Sequence, residues 1–190
     1  VRTNPLRRRA RRNPALLSAP AQASYDRLLE LAPALYAAVD DAYWDEESRD
    51  GATKLLAGWL RDNGFKVLGY GGSRVVVKLD KRFAAKVAAF DDGVRQNENE
   101  SGLWGIVSRE APILQDFLMP VHALDADEIV LLTEVAKPCT GRNRAACAAE
   151  ITAAQKRLQG YPLTRGLSDA EYTFNWGFHN GSFKLLDYGI

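Results

Sequence analysis

Leu185-Leu186-Asp187-Tyr188-Gly189 places an acid at the end of an apolar run, and Asn175 stands upstream of it across an Asn180-Gly181 turn. A hairpin closed at that turn brings an acid and an amide together. Two such oxygens suit Mg²⁺, which keeps waters and phosphate oxygens in its remaining positions; the structural alternative is an aspartate that closes a surface turn. Lys86 stands in Phe83-Ala84-Ala85-Lys86-Val87-Ala88, an otherwise apolar strand in which an unpaired ammonium is costly to bury. Either it snorkels from an edge strand, or it takes anionic partners: nucleotide phosphates and an acid on the next helix, Glu98 or Glu100. Gly69-Tyr70-Gly71-Gly72-Ser73 separates two runs of strand periodicity. A strand, glycine turn and strand lets backbone N–H groups close over phosphates, because glycine has no side chain to hold the ligand away. A plain structural hairpin uses the same residues.

These groups need particular elements to position them. Apolar residues at helical spacing from Tyr25 to Val39 predict a helix running to about Trp44, with Ser24 as N-cap and Asp26 in its first turn. A second helix is expected from about Asp50 to Asn63-Gly64, a pair suited to a left-handed C-cap. The period then changes to two, predicting strands at Phe65–Leu68, Val75–Leu79 and Phe83–Val87. Val94, Leu103, Trp104 and Val107 fall on one side of a helix over about Gly93–Ser108. Phe117–Leu124 and Ile129–Val135 read as a hairpin around Asp125-Ala126-Asp127. Gly141–Gln159 is alanine-rich and helical, and two short extended runs flank Asn180-Gly181.

Taken in order, Gly69-Tyr70-Gly71-Gly72-Ser73-Arg74-Val75-Val76, Ala85-Lys86-Val87, Glu100, Leu132-Thr133-Glu134-Val135-Ala136, Asn175 and Asp187-Tyr188-Gly189 resemble the protein kinase series. Gly72-Ser73-Arg74-Val75-Val76, the strand lysine and Gln96-Asn97-Glu98-Asn99-Glu100 are similar, more narrowly, to small kinase-like proteins of bacteriophages and bacteria. Over residues 65–190 the resemblance implies an α+β, protein-kinase-like fold: a five-stranded antiparallel N-lobe sheet with one packed helix and a minimal C-terminal lobe, preceded by extra helices and a basic arm. The corresponding divisions are 1–22, 23–64, 65–137 and 138–190. It implies ATP and Mg²⁺ as cofactors. Gly69, Gly71, Gly72 and Ser73 would cover the phosphates, Lys86 would hold them and pair with Glu100, the backbone of Glu134 and Ala136 would hold adenine, and Asn175 and Asp187 would bind the metal.

The sequence departs from that pattern at three places. Arg74 replaces the third loop glycine, where it either supports the phosphates or fills the loop. Ala170 occupies the position of the catalytic base, five residues before Asn175, and alanine cannot deprotonate a hydroxyl. Asp169, one residue early, or Glu171, one late, would have to substitute. The sequence given also ends one residue beyond Gly189, so the expected C-terminal lobe is small. The resemblance therefore leaves a minimal Mg·ATP phosphotransferase, a nucleotide-binding pseudokinase and a structural component, such as a subunit of a phage particle, as expectations.

Bulk composition, 46% apolar and 26% charged, is that of a globular chain and excludes a disordered one. No run approaches the length that spans a bilayer, and no secretory signal is visible, so a cytoplasmic or particle-associated protein without a membrane partner is expected. Charge is uneven: six arginines and no acid precede Asp26, and the remainder carries a net charge of −5. Arg7, Arg8, Arg9, Arg11 and Arg12 predict an arm for an acidic protein surface or nucleic acid. Cys139 and Cys147 have neither metal-ligand spacing nor the density of a disulfide scaffold, and are read as semi-buried thiols without chemistry. Trp104, Trp176, His122 and His179 are read as core or strand-surface residues without a role.

Overall fold

The computed structural model describes residues 17–42, 49–140, 144–158, 160–161, 167, 170 and 172–188. The arginine arm and the candidate bases Asp169 and Glu171 lie outside the described residues. The architecture is α+β, with α1 (Ala19–Ala42), α2 (Arg49–Asp62), β1 (Lys66–Tyr70), β2 (Arg74–Lys78), β3 (Phe83–Ala88), α3 (Asp91–Glu110), β4 (Val121–Leu124), β5 (Val130–Glu134), β6 (Lys137–Pro138), α4 (Arg144–Leu158), β7 (Trp176–His179) and β8 (Ser182–Leu185). Single 3₁₀ turns cover Pro112–Asp116 and Thr173–Asn175. The chain divides into two compact units. One runs to Asn97 and adds His122–Thr133; the other holds Glu98–Val121 and continues from Glu134.

In the first unit the strands form a sheet in the order β1-β2-β3-β5-β4. Both β1–β2 and β2–β3 are antiparallel. Helix α1 begins earlier than the Ser24 cap predicts. Ser18 caps it, accepting the Ala21 N–H on its hydroxyl. Pro20 sits in the first turn, where a missing N–H costs nothing. Ala21, Tyr25, Leu28, Ala32 and Val39 share one face and are buried with Leu56 and Leu60 of α2 and Val75, Val77, Ala85 and Val87 of the sheet. The two N-terminal helices thus share a core with the strands. Helix α2 ends as its sequence suggests: Gly64 has φ of 80°, Gly64 N–H bonds Arg61 O, and Phe65 N–H bonds Leu60 O. That is a Schellman closure, which favours glycine at the left-handed position.

The second unit centres on a three-stranded sheet, β6-β7-β8, and a core that includes Leu114, Leu118, Ile151, Trp176, Leu185 and Tyr188. The β7–β8 hairpin turns through Asn180 and Gly181, both at positive φ, the geometry of a two-residue turn that matches strand twist. The predicted strand from Phe117 is shorter than expected. A 3₁₀ turn ends just before it at Asp116, and an isolated bridge, Leu118 to Leu185, stands in its first part.

Candidate functional site

Register fixes the first unit's contribution. Gly69 lies opposite Val76, and Val76 lies opposite Lys86, so the three form one row across β1, β2 and β3. A register shift between Val67 and Gly69 brings the glycine into line. Because Val75, Val77, Ala85 and Val87 enter the core, alternation sends Val76 and Lys86 from the opposite face. Lys86 is only 6% exposed there. Gly69, Gly71 and Gly72 have ordinary negative-φ backbone, and a Cβ added at any of them meets nothing within 4 Å. Neither conformation nor packing demands glycine at these three positions, which leaves them open to close approach by a ligand.

The rest of the glycine turn is tied down. Gly71 N–H bonds Arg74 O, and Ala89 N–H bonds Ser73 O. The Ser73 hydroxyl donates to Gln96 Oε1 at 2.7 Å, so its one proton is committed. Arg74 is buried, and its Nη1 donates to Asn97 Oδ1 at 3.1 Å. Asn97, fully buried, donates from Nδ2 to the carbonyls of Glu128 and Ile129. Of the two expectations for Arg74, filling and bracing the loop describes its place. Gly93 permits this fit: a Cβ there would stand 2.4 Å from Ser73 O.

In the second unit the terminal hairpin brings Asn175 and Asp187 close along the backbone. Leu186 N–H bonds Asn175 O at 2.6 Å, and Trp176 pairs with Leu185. Met119 N–H bonds Leu185 O, and the buried Tyr188 donates its hydroxyl to Met119 O at 2.6 Å, fixing the residue after the aspartate. No group of three or more His, Cys, Asp or Glu side chains suited to a metal occurs among the described residues. Ala170, at the expected base position, is buried, and its carbonyl accepts hydrogen bonds from Trp176 Nε1 and Gln155 Nε2. Just before Asn175, the rings of Tyr172 and Phe174 stack on one another, largely exposed.

Of the predicted residues, Gly69, Gly71, Gly72, Ser73 and Lys86 belong to the first unit. Glu100, Glu134, Ala136, Asn175 and Asp187 belong to the second. Sequence reasoning missed a buried pair. His179 Nε2 lies 2.6 Å from Glu134 Oε2, and His179 Nδ1 has no partner among the described residues. The residues are separated by 45 positions, and no local pattern links them. The reading of the cysteines is corrected: Cys139 and Cys147 form a disulfide, with Cα atoms 6.1 Å apart. A bridge joins the residue after β6 to α4, so proximity in the fold, not cysteine density, decides the pairing.

Lys184, Asp125 and Asp80 titrate away from their ordinary values. Burial pushes the Lys184 ammonium down, partly offset by the charges of Asp116 and Glu134; its Nζ donates to Gln115 O and Leu118 O. Burial also raises Asp125, against hydrogen bonds from the N–H groups of Val130 and Asp127. For Asp80, burial is outweighed by hydrogen bonds from the N–H groups of Phe83 and Arg82 and from the Ser18 hydroxyl, and its pKa is lowered. No protein-family model matches the chain, and no curated protein is significantly similar to it.

Proposed function

We propose that the chain is a kinase-like protein that binds Mg·ATP. The observation that carries this reading is the row Gly69–Val76–Lys86: a buried lysine aligned across three strands with a glycine turn whose Cα positions stand open. Lys86 would meet the α- and β-phosphates, and the backbone of Gly69, Gly71 and Gly72 would close over them. Asn175 and Asp187 would hold Mg²⁺, which draws charge from the phosphate oxygens when bound. Glu100 would pair with Lys86, and the Glu134 and Ala136 backbone would hold adenine.

A second reading concerns turnover. Ala170 stands where the base is expected and serves as a hydrogen-bond anchor for Trp176 and Gln155, which favours a nucleotide-binding pseudokinase over a phosphotransferase.

Thermal unfolding with and without Mg·ATP tests binding. A ligand at about a hundred times its Kd adds roughly 2.7 kcal/mol, several degrees in Tm for a chain of this size. The wild type is expected to show that shift and Lys86→Ala and Asp187→Ala to lose it; no shift at millimolar Mg·ATP sinks the proposal. Phosphotransfer that disappears in Asp169→Ala or Glu171→Ala would restore the enzymatic reading.

A further inference from the structure

The connection from β5 to β6 is two residues long, Val135-Ala136, and both of its ends are tied to consecutive residues of β7. On the far side Lys137 pairs with Phe178, and Pro138 with Gly177, in the β6–β7 register. On the near side the Glu134 carboxylate meets the His179 ring, Oε2 to Nε2, at 2.6 Å. These two side chains are only 4% and 8% exposed. A carboxylate offers acceptors alone, so Nε2 carries the proton and donates it. That tautomer leaves Nδ1 as a bare lone pair, whereas a proton there would be buried without an acceptor among the described residues. Asn180 Nδ2 lies 3.1 Å from the same Nε2; turned over, that amide presents its oxygen to the N–H. The ring is placed in turn by the hairpin, since His179 pairs with Ser182 across the Asn180-Gly181 turn.

A buried hydrogen bond to a charged group thus fixes one end of a short link whose other end is fixed by strand pairing. Backbone groups recognise a planar edge best when their directions are set before binding, because ordering them on binding costs affinity. We infer that His179 is a positioning residue: through Glu134 it holds the 134–136 backbone in the shape that receives an adenine edge. This role rests on the proposed nucleotide site and adds to it a side chain that sets the preference for a base. Its effect falls on adenine alone. Tripolyphosphate carries the phosphates of ATP without the base and is indifferent to it.

The test is titration calorimetry of the full chain with Mg·ATP and with Mg·tripolyphosphate, in the wild type, His179→Leu and His179→Gln. Leucine removes the donor, whereas the glutamine amide nitrogen reaches the place of Nε2 and donates from there. His179→Leu is expected to weaken Mg·ATP binding by about tenfold, the effect of one lost hydrogen bond to a charged group, and to leave Mg·tripolyphosphate binding unchanged. His179→Gln should restore most of the loss. Unchanged Mg·ATP binding in His179→Leu would overturn the positioning role and leave the nucleotide site standing. So would an equal loss of both ligands, or a loss that glutamine does not repair, since either would make His179 a residue of the fold alone. A wild type that binds neither ligand would overturn the nucleotide reading, and the role of His179 with it.

Discussion

Asn97 shows how much of this fold rests on one side chain. It accepts from the buried Arg74 and donates to two carbonyls of the β4–β5 connection, so it braces the glycine turn against a distant loop of the same unit. Asn97→Ala removes one partner of a buried guanidinium and the side-chain donor to two carbonyls, and we expect a loss of about 1–3 kcal/mol in urea unfolding. A loss well under about 1 kcal/mol would mean that the turn and the β4–β5 connection hold together without this side chain. Asp80 carries a pH signature of definite sign. Its pKa is lowered in the folded chain, so its contribution is complete above the unfolded value and is lost as pH falls through the folded one. The cost of Asp80→Ala should therefore be larger near pH 7 than in acid, shrinking as pH falls below the ordinary carboxylate value. Asp125 has the opposite sign: burial raises its pKa, and the stability it contributes in acid is lost as pH rises through the folded value.

At the scale of elements, the glycine turn separates folding from binding. Gly71 and Gly72 have neither positive φ nor crowding at Cβ. Gly71→Ala and Gly72→Ala should leave stability unchanged or raise it by about 0.4–1 kcal/mol, because alanine restricts the unfolded chain. If the turn cradles phosphate, the same changes weaken Mg·ATP binding by about tenfold, roughly 1.4 kcal/mol. Unaltered binding in both variants would remove the turn from the site. The helices, the strand order along the chain and the two glycine-bearing turns were legible in the sequence because each is specified locally, by periodicity or by a left-handed position such as Gly64 or Gly181. The start of α1 was missed because Ser18 and Pro20 outweigh the later Ser24 signal. Less accessible still was the Glu134–His179 pair, which depends on tertiary packing. Within the candidate site, the lysine, the glycine turn and the Asn175–Asp187 hairpin could be named from sequence. The commitment of the Ser73 hydroxyl to Gln96 could not, since it needs the contact between a turn and a helix.

For the molecule as a whole, each unit has its own hydrophobic core, and the boundaries between them fall inside α3, β4 and β5 rather than at linkers. Composition shifts cannot reveal a division of that kind. The units also differ in covalent character: the second core contains Cys139 and Cys147, and the described residues include no free cysteine. A bridge between residues eight apart constrains the unfolded chain by about 2–3 kcal/mol in the loop-closure picture. Dithiothreitol should lower the unfolding free energy by that amount, with amide exchange accelerating in α4 and β6–β8 before β1–β3. Uniform acceleration across both units would show that they unfold together. Such a bridge forms and persists where thiols can be oxidised. The two cores therefore answer differently to their surroundings: among the described residues, only the second is closed by a bond that a reductant can open, so the same chain carries one half indifferent to thiols and one half that registers them.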